Sequence, residues 1–180
     1  IVIGGKLPII GGSGRTGQSE IMVCEACEFN DHYQHLSPDI AVLLNVDADH
    51  LDYFGSLENI IASFHRFVSK ASKLIIANRD DANTRKALEG LTQPVITFGS
   101  TPEADYYPRN IQVAEGQIRY ELMHHGKKLV DITLNVPGVH NVLNSLAAAA
   151  ACIYEGVTPE QFATELETFH GAKRRFEIHG

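Results

Sequence analysis

The sequence predicts an α/β fold, in which a mostly parallel β-sheet is flanked by helices and extended by an antiparallel meander. In the first half of the chain, continuous apolar runs alternate with segments of helical periodicity. Continuous apolar runs are typical of parallel strands that are covered on both faces. After Gly99 the pattern changes to β-like runs that meet at glycine-containing turns, which is typical of antiparallel strands. We therefore expect right-handed β-α-β crossovers first and hairpins afterwards.

The parallel part is predicted to contain four strands with two helices between the last three. The predicted strands are "EIMVCE" (20–25), "DIAVLLNV" (39–46), "KLIIAN" (73–78) and "PVITFG" (94–99). A helix is expected at 56–69, because Ser56 can cap it and the apolar residues that follow have helical spacing. A shorter helix at 81–89 is expected to end at Gly90.

The second half predicts a meander followed by two helices. Two hairpin turns are expected, at Glu115-Gly116 and at Gly126-Lys127. A helix is predicted at 140–156, because it contains five consecutive alanines and reaches Gly156 as a stop. The next helix should begin after Thr158, since Pro159 suits a first helical position and Gln161 completes a capping box.

Composition excludes several classes of protein. The 180 residues include 15 basic and 22 acidic side chains, a net charge of −7, which argues against nucleic-acid binding. There is no apolar run long enough for a membrane span. Three cysteines do not make a disulfide framework, so a cytoplasmic protein is expected.

The stretch "GGSGRTGQSE" (11–20) has the glycine spacing of a phosphate loop, but Gln18 stands where the lysine is required. A phosphate loop also needs a helix after it, because the helix N-terminus supplies amides and partial positive charge. Here a predicted strand follows instead. We interpret the stretch as a glycine-rich connection.

The stretch "NVDADHLDYF" (45–54) is the strongest candidate for chemistry. An apolar strand ends there and is followed by Asp47, Asp49, His50 and Asp52. Ligands bind beyond the carboxyl ends of parallel strands, and Glu25 is expected at the corresponding end of the preceding strand. Glu25 and His50 could therefore converge to hold Mg²⁺. An equally good interpretation is that the aspartates only cap the next turn.

Near the start of the alanine-rich helix, His140, Asn141 and Asn144 form a second candidate site. The two asparagines are three residues apart and share a face, and an asparagine amide complements the edge of adenine. Simple helix capping explains these residues equally well.

A third candidate is "GAKRRFEIHG" (171–180), which contains the densest basic cluster, Lys173, Arg174 and Arg175. A guanidinium there can clamp a phosphate group. The alternative is a solvated charged face.

Taken in order, "EACEF", "NVDADHLDYF", "VPGVHNVLN" and "GAKRRFE" resemble the Mur ligase family, over nearly all of the chain. The resemblance implies that residues 1–180 are part of the central, ATP-binding domain, which has a P-loop NTPase-like fold. It also implies that the lysine-bearing phosphate loop and a UDP-binding domain lie upstream of Ile1, and a C-terminal domain after Gly180. The 180 residues alone are then expected to be inactive.

The resemblance implies roles in metal, nucleotide and substrate binding for nine residues. In that order they are Glu25 and His50 for Mg²⁺, His140, Asn141, Asn144 and Arg175 for ATP, and Glu28, Asn30 and His32 near the UDP-muramyl substrate. Among these, His50 and Arg175 would act closest to the reacting phosphate.

Within the family, the sequence is most similar to the branch that joins L-alanine to UDP-N-acetylmuramate in peptidoglycan biosynthesis. The implied reaction begins when the lactyl carboxylate attacks the γ-phosphate of ATP, and the amine of L-alanine then displaces phosphate from the acyl phosphate. The helix after the Asp-His pair, "LENIIASFHRFV", contains no lysine, which favours this branch. Many relatives have aspartate where Cys27 stands, so residue roles after Cys27 transfer less directly.

Two alternatives remain. A murein peptide ligase of cell-wall recycling shares much of the pattern but tends to carry "YDTAF"-like residues in place of "CEACEF". A non-catalytic module that binds nucleotide or Mg²⁺ is the alternative from another class.

Overall fold

The computed structural model describes residues 1–114 and 116–171 and contains two β-sheets. The smaller sheet pairs β1 (Val2–Leu7) with β2 (Gly12–Gly14). The larger sheet has six strands: β3 (Ile40–Leu43), β4 (Leu74–Asn78), β5 (Val95–Phe98), β6 (Tyr106–Ala114), β7 (Gln117–His124) and β8 (Lys127–Leu134). The helices are α1 (Leu51–Phe54), α2 (Leu57–Val68), α3 (Ala82–Ala87), α4 (His140–Tyr154) and α5 (Pro159–Glu167), with 3-10 segments at Pro8–Ile10 and Phe29–His35.

The six strands lie in the sheet in their order along the chain. β3, β4 and β5 are parallel, and β6 joins β5 in parallel through the pair Phe98 and Tyr106. β6, β7 and β8 are antiparallel. The predicted fold class is therefore confirmed, and the meander is an extension of the same sheet. Glu115, in the first predicted turn, lies outside the described residues.

The large sheet separates two hydrophobic cores. Successive residues of a strand point to opposite faces, and β4 shows this clearly. Leu74 and Ile76 belong to a core formed with α4, α5 and the meander. Ile75 and Ala77 belong to a second core formed with α2, α3 and the Phe29–His35 segment. Every residue of β4 is buried, as its continuous apolar sequence predicts.

The helix boundaries follow the capping residues in the sequence. Ser56 accepts a hydrogen bond from the Asn59 amide at 3.2 Å and begins α2. Thr158 and Gln161 form the predicted capping box of α5, with Pro159 at the first helical position. α2 ends at Val68 and α4 at Tyr154, within one or two residues of the ends predicted at 69 and 156. These predictions are confirmed. Capping side chains satisfy backbone groups of the same helix end, so nearby residues in the sequence are enough to predict them.

The predicted buried strand at 20–25 is wrong. Ile21, Met22 and Val23 are 53%, 68% and 57% exposed. The segment makes one isolated bridge, between Cys24 and Val2, and does not join the six-stranded sheet. An apolar run forms a buried strand only where other layers cover it, and no such layer lies over these residues in the part of the chain that the structure describes.

The strand predicted at 39–46 is also shorter than expected. β3 ends at Leu43, and Val42 and Leu44 are both 41% exposed because β3 lies at the edge of the sheet. Residues 15–28 contain no helix, which agrees with the interpretation that the glycine-rich stretch at 11–20 is not a phosphate loop. Among the described helices, none has the length and apolar character needed to cross a membrane.

Candidate functional site

The loop after β3 carries His50 to the start of α1. Val46, which is fully buried, fixes this loop: its amide donates to Asp81 at 3.3 Å and its carbonyl accepts from Asn83 at 2.9 Å. His50 then adopts a left-handed conformation (φ 52°, ψ 38°) at the N-cap position of α1. Its amide donates to the Asp49 carboxylate at 2.7 Å. The carboxyl end of β3 therefore delivers the histidine in a fixed local geometry.

His50 lies in a cluster with two carboxylates. Its Nε2 is 3.5 Å from Oε1 of Glu28, and its Nδ1 is 3.8 Å from Oδ1 of Asp49. One ligand atom from each of the three residues lies within 4.8 Å of the others. Carboxylate oxygens suit Mg²⁺, a hard cation that binds few protein groups and keeps several water or phosphate ligands. The donor set of this cluster therefore fits the metal that the family resemblance implies.

A cavity of about 150 Å³ adjoins this cluster. Its lining combines Glu28 and polar residues of the β3–α1 loop with apolar residues of α1 and α2: Glu28, Asn45, Asp47, Asp49, Phe54, Ile60 and Phe64. Asp47 accepts a hydrogen bond from Asn45 at 2.9 Å, so these two side chains are held together at the rim. The arrangement provides an acidic surface beside a small apolar wall.

The Phe29–His35 segment supplies the other side of the cluster. Its anchor is Tyr33, which is 2% exposed, stacks on Phe67 with 4.7 Å between ring centroids and has its hydroxyl 2.9 Å from Ser63. Burial raises the pKa of Tyr33 to about 12, so the phenol stays neutral at ordinary pH. The Phe29 ring lies 5.0 Å from the His50 ring. The segment thus places Glu28 and Phe29 against His50.

The structure places the predicted substrate residues in or next to this segment. Glu28 immediately precedes it, and Asn30 and His32 lie within it with exposed side chains. Sequence reasoning assigned Glu28 to substrate and overlooked it as a partner of His50. The signal that could have found it is the second glutamate of "EACE", three residues after Glu25.

Glu25 lies in a different environment. Its Oε2 accepts a hydrogen bond from the Gly4 amide at 2.7 Å, in the β1 strand. Within the described residues, the ion pairs of His50 join it to Glu28 and Asp49, not to Glu25. The carboxylate of Glu25 is thus not within ion-pair distance of His50, and the segment 20–25 does not pair with β3 as the prediction required.

The predicted nucleotide residues lie together at the start of α4. Asn141 donates to the Pro137 carbonyl at 2.6 Å, and Asn144 donates to Asn141 Oδ1 at 3.2 Å. The two asparagines therefore share a face, as their spacing predicts. The His140 ring packs over Gly138 (φ 96°), where an added Cβ would lie 2.4 Å from the ring. Only glycine fits this approach.

None of these three residues lines the cavity beside Glu28. The remaining predicted site residue, Arg175, lies outside the described residues together with Lys173 and Arg174.

Comparison with known proteins decides the family. Residues 12–152 match the model of the Mur ligase middle domain. The chain belongs to the Mur ligase family. The UDP-N-acetylmuramate–L-alanine ligase of Caldanaerobacter subterraneus is 38% identical over 183 aligned residues, which cover 100% of this chain and 40% of that protein. The chain therefore spans well under half the length of this relative.

Two solved structures of Mur ligases have closely similar folds. The UDP-N-acetylmuramate-alanine ligase MurC from Thermotoga maritima superposes with a TM-score of 0.84 at 26% identity, covering 100% of this chain and 40% of that one. The UDP-N-acetylmuramate:L-alanyl-gamma-D-glutamyl-meso-diaminopimelate ligase from Neisseria meningitides also gives 0.84, at 28% identity, covering 96% of this chain and 58% of that one. The Mur ligase fold of this chain is thus shown by both sequence and structure.

Proposed function

We propose that this chain is the central, ATP-binding part of a longer ligase that joins L-alanine to the lactyl carboxylate of UDP-N-acetylmuramate. The reaction would pass through an acyl phosphate, as in the two-step chemistry that the family resemblance implies. The whole enzyme would act in the cytoplasm in peptidoglycan biosynthesis, and so in cell shape and division. The observation that carries the proposal is the cluster of Glu28, Asp49 and His50 at the carboxyl end of β3, in a chain whose relative at 38% identity is such a ligase.

In this proposal, Glu28, Asp49 and His50 are available to hold Mg²⁺. The structure adds Glu28 and Asp49 through their distances from His50, whereas Glu25 is proposed on the resemblance alone. Bound Mg²⁺ would supply positive charge that offsets the negative charge of phosphate and carboxylate groups. The imidazole of His50 binds a cation only in its neutral form, which retains a free nitrogen lone pair.

Nucleotide binding is proposed for the start of α4 and for Arg175. The Asn141 and Asn144 amides lie on one helix face, and the adenine edge needs both a donor and an acceptor. His140, stacked over Gly138, presents a flat ring beside them. Arg175 would approach the γ-phosphate. Asn30 and His32, exposed in the Phe29–His35 segment, are proposed to face the UDP-muramyl substrate.

The experiment is His50→Ala in the full-length protein that carries this chain. We expect kcat/KM for ligation to fall on the order of 100-fold, since an electrostatic contribution to the reacting phosphate is lost. Product formation from UDP-N-acetylmuramate, L-alanine and ATP is measured directly. In the same assay, the 180-residue chain alone is expected to form no product.

His125→Ala is a matched control. His125 is also left-handed (φ 45°) and also lies 3.5 Å from a carboxylate, that of Asp105, but it belongs to the β7–β8 turn. Alanine is therefore strained to a similar degree at both positions. Equal turnover in the wild type and in His50→Ala would remove His50 from the proposed mechanism.

A murein peptide ligase is the second candidate, favoured by the equal TM-score to the Neisseria enzyme. Replacing L-alanine with the tripeptide L-alanyl-γ-D-glutamyl-meso-diaminopimelate in the assay separates the two. Preference for the tripeptide would establish the second candidate. We favour L-alanine because three relatives that match the whole chain at 38–40% identity are UDP-N-acetylmuramate–L-alanine ligases.

A further inference from the structure

The side chain of Asp31 joins three elements around the candidate site. Ser63, on α2, donates a hydrogen bond to its Oδ1. The Tyr53 hydroxyl, on α1, donates to its Oδ2 at 3.3 Å, and the Arg66 guanidinium of α2 lies 3.7 Å away. One carboxylate therefore fastens the Phe29–His35 segment to both helices.

The backbone at this point is strained. Asn30 (φ 52°) and Asp31 (φ 57°) are consecutive residues in the left-handed region, which is uncommon outside glycine although Asn and Asp adopt it more readily than other side chains. Such conformations persist only where the surrounding contacts over-determine them. Here the contacts of Asp31 on one side and the burial of Tyr33 on the other provide that constraint, and both reach the same hydroxyl, that of Ser63.

The same residues close a ring around the pair of Glu28 and His50. The Asp31 amide donates to the Glu28 carbonyl at 2.9 Å, and the Tyr53 amide donates to the His50 carbonyl at 3.0 Å. The side-chain hydrogen bond between Tyr53 and Asp31 then links the two branches. Separation of Glu28 from His50 would require this ring to open.

We propose that Asp31 is a positioning residue, which holds the Glu28 carboxylate against His50 and thereby sets the divalent-cation affinity of the cluster. The inference rests on the proposed function, since it presumes that the cluster binds a cation. Asp31 itself is not placed among the groups that touch the metal or the substrate.

The test is a titration of the full-length protein with Mn²⁺ alone, followed by electron paramagnetic resonance of the free ion. Asp31→Gly removes the carboxylate while permitting the left-handed backbone. We expect it to weaken Mn²⁺ binding about tenfold, which is the size of effect typical of residues that orient metal ligands. Tyr53→Phe, which removes a single hydroxyl from an exposed ring, should weaken binding about threefold.

Asp39→Gly is the matched control. Asp39 also accepts a hydrogen bond from a serine, Ser72, and pairs with a cation, Lys73 at 3.0 Å, but it lies immediately before β3, at the opposite end of the strand from the loop that carries His50. The Mn²⁺ affinity of the Asp39→Gly variant should equal that of the wild type. Urea unfolding of each variant shows whether a change in affinity merely follows a change in stability.

Wild-type Mn²⁺ affinity in both Asp31→Gly and Tyr53→Phe would overturn the inference. If Asp31→Gly does not fold, Tyr53→Phe decides the outcome. Loss of binding in His50→Ala without any loss in the Asp31 and Tyr53 variants would leave the proposed function intact. Equal binding by the wild type and His50→Ala would overturn the cation site and this inference together.

Discussion

Two buried tyrosine–serine hydrogen bonds lie on opposite faces of the six-stranded sheet, in contrasting surroundings. The Tyr120 hydroxyl lies 2.7 Å from the Ser145 hydroxyl, and Ser145 donates a hydrogen bond to the Val142 carbonyl one turn earlier in α4. Tyr33 lies 2.9 Å from Ser63, which instead donates to the Asp31 carboxylate near the surface. The first network closes inside a core, whereas the second leads from a core to the candidate site.

Residues with left-handed backbone conformations also concentrate on the α2 face of the sheet. Five residues other than glycine have positive φ in the described chain, and three of them, Asn30, Asp31 and His50, surround the cluster. The other two, Asn110 and His125, lie in the meander. Strain of this kind is stored preferentially at functional sites, where the remaining structure compensates for it. The core on the α4 face thus mainly stabilises the fold, whereas the α2 face also shapes the cluster of Glu28, Asp49 and His50.

The largest effect should come from truncating the core on the α4 face. Leu146 is fully buried in that core, so Leu146→Ala should lower the free energy of unfolding by about 3 kcal/mol through lost burial and a residual cavity. The Mn²⁺ affinity of the folded protein should not change. Urea unfolding and the Mn²⁺ titration measure the two quantities separately.

Leu44→Ala provides the comparison, because Leu44 is 41% exposed beside the edge strand β3. Its truncation should cost less than about 1 kcal/mol. If Leu146→Ala also weakened Mn²⁺ binding by the folded protein, the conclusion that the α4-side core affects stability but not the cation cluster would be wrong.

The two tyrosines allow a more precise comparison at a smaller scale. Tyr120→Phe and Tyr33→Phe each delete one buried hydroxyl that hydrogen-bonds a serine, and each should lower the free energy of unfolding by about 1 kcal/mol. Only Tyr33→Phe should also weaken Mn²⁺ binding, since only Ser63 leads to Asp31. Paired unfolding and titration curves test this, and equal Mn²⁺ affinities in the two variants would contradict it.

The features that the sequence predicted correctly are those decided by neighbouring residues. Ser56 and Thr158 cap helices through groups only three residues away, and the apolar sequence of β4 reports burial on both faces. The placement of His50 at the end of β3 followed from the general geometry of parallel sheets. These interactions are local or depend on a rule common to all α/β folds, so a single sequence contains them.

The features that the sequence missed depend on distant or irregular contacts. The exposed run at 20–25 has the composition of a buried strand, and burial depends on partners that periodicity does not reveal. Glu28 lies beside His50 where two left-handed residues bend the segment that follows Glu28. The pattern of side chains in the sequence did not predict that bend. Tyr33 and Ser63 meet across 30 residues. For these reasons the sequence indicated His50 as a candidate residue but did not predict that Glu28 lies beside it.

The smallest predicted effect concerns a histidine of the meander. His124 stacks on Tyr106 of the α4-side core, with 4.3 Å between ring centroids. Burial, and then the neighbouring His125, lower the pKa of His124, and Asp105 offsets only part of this. The unfolded chain therefore takes up a proton near the ordinary pKa of about 6.5, whereas the folded protein does so only at lower pH.

Stability should consequently be full above pH 7 and fall as the pH drops through about 6.5. His124→Phe keeps a ring against Tyr106 and cannot titrate, so its free energy of unfolding should fall less over the same interval. Urea unfolding, repeated about every half pH unit between about pH 5 and pH 7.5, gives the slope of the free energy of unfolding against pH for both proteins. Identical slopes would show that protonation of His124 does not destabilise the fold. A smaller slope in the variant would show that the α4 face is sensitive to acid through a group that takes no part in the cation cluster.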